Sequence, residues 1–230
     1  MKRALILLIP VCLGACTADS VVLRTEHGVV VAGDARSASQ LSESLAVASK
    51  VKAALASSRE DLPLVRCVTS IDAVSGANAV CAPDHIEIRE DALALREYLL
   101  AHELAHWYMV ESPYEAVPYF IEEGIAEYVA LELLGWQRIR DLEQALYRQS
   151  REARGTGSSI VVFYIGLDQW VSLGLEERYE LMELALDVVR KLGLERVREL
   201  SESEAGVVEY IEESKVPLLP AGFDVGSEKP

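Results

Sequence analysis

Ala101-His102-Glu103-Leu104-Ala105-His106-Trp107 is the stretch on which the reading of this chain turns. It lies inside a strongly helix-forming run. Histidines four residues apart on a helix stand one turn apart on the same face, so both imidazoles reach one point, which is a metal-ligand spacing. The intervening Glu103 projects beside that point, where a carboxylate can take a proton from water. A five-residue pattern of this kind also arises by chance on surface helices, but the flanks argue otherwise. Tyr98, Leu99, Leu100, Leu104, Trp107 and Met109 leave the helix apolar nearly all round, so it should be buried. Two histidines and a glutamate inside such a helix are costly unless an ion and its water satisfy them.

Downstream, Pro118-Tyr119-Phe120-Ile121-Glu122-Glu123-Gly124-Ile125-Ala126-Glu127-Tyr128 opens with a proline suited to a helix's first turn and continues with helical spacing. Glu123 and Glu127 share a face of this second helix, whereas Glu122 points about 100° away. Together the two segments resemble the gluzincin metallopeptidases, the thermolysin and aminopeptidase N group, in which a second helix supplies a glutamate ligand from a motif similar to Glu-Gly-x-Ala-Glu-Tyr. The resemblance implies one zinc ion per chain on His102, His106 and Glu123, with Glu103 as general base. It also implies that Glu127 accepts a hydrogen bond from a ligand histidine and fixes its tautomer. It covers roughly residues 86–134.

The chain departs from that family in its details. Sixteen residues separate His106 from Glu123, a short crossing, so 111–117 must turn tightly. No histidine follows His106, so the thermolysin-type histidine that steadies the oxyanion has no counterpart. Tyr164 is the candidate for that role, a core aromatic being the equal alternative. No Gly-x-Met-Glu-Asn segment precedes the first helix, which argues against recognition of a free substrate N-terminus. The strand before the motif helix, which in such enzymes edges the cleft and pairs with substrate, corresponds to His85-Ile86-Glu87-Ile88-Arg89. His85 and His27 themselves read as ordinary polar residues.

At the N-terminus, Met1-Lys2-Arg3 followed by Ala4 to Val11 reads as a basic region and an apolar run too short to span a bilayer, hence an export signal. Leu13-Gly14-Ala15-Cys16 resembles the bacterial lipobox. That resemblance implies removal of 1–15, acylation of Cys16, and attachment to the membrane by lipid, on the periplasmic face of the outer membrane because Thr17 and not Asp follows. A plain secretory signal with an incidental cysteine is the alternative. The formal charge of -15 repels nucleic acid and anionic head groups, so no nucleic-acid role is expected. In an oxidising compartment Cys67 and Cys81 form an even pair, and a disulfide closing that loop would stabilise by about 3 kcal/mol. Two buried thiols are the alternative.

The remaining pattern predicts an α+β fold. A hairpin or bent strand is expected at 21–31 around His27-Gly28, a helix at 38–58, and strands at 64–69 and 85–89 with a turn at 75–78 between them. Helices are expected near 91–110, 118–134, 137–153, 159–173, 176–192, 194–200 and 203–213. The layout is a small mixed lobe with a short sheet (16–90), then a mainly helical, zincin-like lobe (91–215) with the active site between them, and a flexible tail (216–230). The expected function is a zinc-dependent metallopeptidase acting on a peptide or protein substrate in the bacterial cell envelope. A zinc amidase acting on cell-wall material and a non-catalytic metal-containing lipoprotein are the alternatives. No feature specifies an oligomer.

Overall fold

A computed structural model describes residues 20–71, 77–115, 117, 119–135 and 175–201. Its first element is the hairpin that the valine-rich runs foreshadow: β1 (Val21–Thr25) pairs antiparallel with β2 (Gly28–Ala32), Thr25 opposite Gly28. The turn needs glycine at its exit. Gly28 has φ 155, and a Cβ there would stand 2.6 Å from the Pro63 carbonyl oxygen and 2.8 Å from Leu45.

Asp34 then caps α1 (Ala35–Ser44), which passes through a 3-10 turn (Leu45–Val47) into α2 (Ala48–Ala54). The single helix expected over 38–58 is thus two, starting earlier and stopping sooner. The start is set by the cap, and the stop by Ala56, whose φ of 49 leaves the helical region. Leu41, Leu45, Val51 and Leu55 are fully buried, so the tighter turn keeps one apolar stripe facing inward.

These helices form the crossover that parallel strands require. β3 (Leu64–Val68) runs parallel to β2, with Val30 beside Val65, and β5 (Ile86–Arg89) runs parallel to β3. β4 (Ala79–Cys81) lies antiparallel on the far side of β5, giving the order β1-β2-β3-β5-β4. Val30, Val65, Ile86 and Ile88 share one sheet face and are wholly buried there. The strand at 85–89, expected to edge a cleft, is therefore interior, and the outer strand is β4.

The strand order also corrects the disulfide. Cys67 and Cys81 are not joined: Cys67 pairs with Ile88 from one side of β5 and Cys81 with Ile86 from the other. Strands two apart in a sheet stand about 9–10 Å from each other, beyond the roughly 4.4–6.8 Å that a disulfide spans between Cα atoms. Burial, with the Glu90 and Asp34 carboxylates adding to it, pushes the Cys67 thiol up to about 11.

After a 3-10 turn (Glu90–Leu95), α3 (Arg96–Met109) packs against β4, β5, α1 and α2. It is followed by α4 (Tyr119–Leu134), α5 (Leu175–Leu192) and α6 (Leu194–Ser201), close to the expected boundaries. The chain divides into two compact units: residues to Glu115 with Val129–Leu134, and Ala116–Tyr128 with the residues from Gly135. The first runs past residue 90, where the sequence set the lobe boundary, and includes α3. In the second, Phe120, Ile121 and Ile125 of α4 are buried, as are Ala185, Val188 and Val189 of α5 and Val197 of α6. Gly124 permits a close approach there, because a Cβ at 124 would stand 2.5 Å from the Ala185 carbonyl oxygen.

A five-stranded mixed sheet with helices is an α+β fold, as expected. No described helix is long and apolar enough to cross a membrane. The helices expected at 137–153, 159–173 and 203–213, the tail from 216, Tyr164 and Cys16 lie outside the described residues.

Candidate metal centre

α3 forms because Arg96–Met109 is rich in Leu, Ala and Glu and free of Gly and Pro, and it is buried over most of its surface. His102 and His106 sit one turn apart on it. Their Nε2 atoms are 3.3 Å from each other, with ring centroids 5.0 Å apart and the planes inclined by 67°. Two nitrogens bound to one tetrahedral ion at about 2.0–2.1 Å would be about 3.3–3.4 Å apart. The observed separation matches that of two ligands to a common centre.

Glu123 completes the group. One ligand atom each from His102, His106 and Glu123 lies within 4.8 Å of the others, and among the described residues this is the one cluster of His, Cys, Asp or Glu so placed. His102 and Glu123 are buried while His106 is partly open. Two neutral imidazoles and a carboxylate suit a borderline divalent cation such as Zn²⁺, and three protein ligands leave a coordination position over.

The neighbouring acids follow from helix phase. Glu103 is buried on α3 next to His102. On α4, Glu127 is only 2 % exposed, one turn beyond Glu123, whereas Glu122 is partly exposed. That contrast favours Glu123 over Glu122 on grounds separate from the motif. The structure therefore brings His102, His106 and Glu123 together, with Glu103 and Glu127 as their buried neighbours in sequence.

Tyr98 was read from the sequence only as part of the apolar flank of the helix. Its ring lies 6.2 Å from that of His102, at 50°. The signal was its position four residues before His102. His85 stands where its ring nitrogens are both engaged, Nδ1 with Asp84 at 2.6 Å and Nε2 with Glu87 at 3.1 Å. The His85 hydrogen bond holds the Asp84 carboxyl below its ordinary range. The connection from α3 to α4 turns tightly, as its length demands: Glu111 has φ 62, and Ser112 bonds back to the Met109 carbonyl through both its amide and its hydroxyl.

No protein-family model matches the chain, and no curated protein matches it.

Proposed function

We propose that the chain is a zinc-dependent metallopeptidase with its ion on His102, His106 and Glu123 and its general base at Glu103. The observation that carries this reading is the convergence of the two Nε2 atoms to 3.3 Å with the buried Glu123 carboxylate in reach. Zinc, when bound, polarises a substrate carbonyl and makes water more acidic. Glu103 takes the proton from the attacking water as its oxygen bonds to the carbonyl carbon. It then delivers that proton to the amine nitrogen as the carbon–nitrogen bond breaks, so one water is consumed and the carboxylate is regenerated. Because the histidines face each other through Nε2, Nδ1 is the atom left for an outer partner. Glu127 serves as that acceptor and fixes the tautomer of a ligand histidine.

The same reading places the enzyme in the bacterial envelope, held by lipid on Cys16 and acting on peptide or protein substrates there. Its supports are the basic and apolar leader and the lipobox-like tetrad ending at Cys16.

The test is a peptide-substrate screen on zinc-loaded protein from Thr17 onward, with Glu103→Gln beside it. Glutamine keeps the size and polarity of the side chain but cannot accept the proton. The variant should retain its metal while hydrolysis falls by at least about 100-fold. A variant that keeps its metal and cuts as fast as the wild type would remove Glu103 from the mechanism.

A further inference from the structure

The His102–His106 pair converges only while the turn between and beyond the two residues stays helical. α3 ends at Met109, three residues past His106, and the carbonyls of a last turn have no partners within the helix. In this chain the segment after α2 supplies one such partner, to Trp107, and grips the chain just past the helix end. Arg59 donates from Nη1 to the Trp107 carbonyl oxygen at 2.9 Å, and its guanidinium carbon lies 3.6 Å from the centroid of the Trp107 ring. The Trp107 indole nitrogen in turn donates to the Asp61 carbonyl at 3.3 Å. The amide and the hydroxyl of Ser58 both donate to the Glu111 carbonyl at 3.0 Å. The strap thus grips the helix end on both sides of Arg59. Arg59 is itself preorganised, its amide bonded to the hydroxyl of the buried Ser57.

A cation at a helix C-terminus meets the negative end of the macrodipole, and a planar guanidinium can stack on an indole while donating in its own plane. Arg59 does both on the residue next to a candidate ligand. Resting on the metal reading above, we propose that Arg59 is a positioning residue for the metal centre: through Trp107 it locks the last turn of α3 and so fixes the His106 imidazole against that of His102. This residue lies 47 positions from His106 in sequence and belongs to no metal-site motif.

Cobalt(II) titration of the full folded domain, followed by visible ligand-field absorption, reads the centre directly. Amide exchange in the metal-free protein reads the helix end. Arg59→Ala should weaken cobalt binding about tenfold and speed exchange at 107–109. Arg59→Lys keeps the charge but loses the stacked fork, so it should fall between wild type and Arg59→Ala. Val30→Ala, a truncation in the sheet core, serves as the reference for general destabilisation and should leave cobalt affinity unchanged. Wild-type affinity in Arg59→Ala would overturn the proposal while leaving the metal reading intact. Equal weakening in Arg59→Ala and Val30→Ala would also overturn it, since the loss would then be one of overall stability. Failure of the wild type to bind cobalt would overturn the metal reading and this inference with it. Should Arg59→Ala fail to fold, the Arg59→Lys comparison with Val30→Ala decides by the same criteria.

Discussion

At the head of α1 the Asp34 carboxylate accepts hydrogen bonds from the amides of Arg36 and Ser37 and from the Ser37 hydroxyl. These bonds, the Ser37 hydroxyl first, hold its carboxyl below the usual range. A carboxyl lowered in the folded state adds stability that is present above its unfolded value and lost as pH falls through the folded one. Thermal unfolding of the wild type at about pH 7 and about pH 3 should therefore show an acid loss that is smaller in Asp34→Asn, because asparagine caps nearly as well and does not titrate. An identical acid loss in both proteins would contradict the assignment. At this scale the choice of Glu123 over Glu122 was legible because the motif resemblance and helix phase agree, and Glu123 is the buried one of the two. The cysteine pairing was not. An even count of thiols shows that a disulfide is possible, but not that β5 lies between Cys67 and Cys81. Nor was Arg59 legible, because its partner Trp107 is remote in sequence and nothing local marks the contact.

Between α4 and α5 the backbones come together at Gly124 and Ala185. Alanine is a better helix former than glycine by about 1 kcal/mol, so on propensity alone Gly124→Ala would stabilise α4. Here the added carbon would meet main chain and not a side-chain end that can turn aside: the Ala185 carbonyl oxygen at 2.5 Å and its carbon at 2.6 Å. Overpacking of this kind costs about 1–3 kcal/mol, so the clash wins. Gly124→Ala should lower the thermal midpoint, and by displacing α4 next to Glu123 it should also weaken zinc in a chelator competition. A variant as stable as the wild type, with unchanged zinc affinity, would show that α4 and α5 do not meet this closely. Among the elements, α3, α4, α5 and α6 were readable because long apolar periodicity and, for α4, an initiating proline agree with one another. β4 was missed because three residues carry no period. The break between α1 and α2 was missed because a 3-10 turn preserves the apolar spacing that signals a continuous helix.

For the molecule as a whole, a metal bound only by the folded state adds to its stability by mass action. Free zinc at one hundred times its dissociation constant contributes about 2.7 kcal/mol, which for a chain of this length is a shift of about 5–10 °C in thermal midpoint. Wild-type protein should lose that increment on chelation and regain it with zinc, while His102→Ala should melt at one temperature in both conditions. A wild-type midpoint indifferent to chelation would speak against a resident ion. The α+β class and the helical placement of the site could be read from the sequence because each rests on local pattern. The grouping of His102, His106 and Glu123 rested on the family resemblance and not on local pattern, because helix phase sets which face a carboxylate takes but not what that face meets. The most direct measurement is metal content per chain in wild type, His102→Ala, Glu123→Gln and Glu103→Gln purified side by side. Wild type and Glu103→Gln should each hold close to one zinc, and the two ligand variants almost none. A wild type without metal, or ligand variants that hold as much as the wild type, would contradict this metal centre.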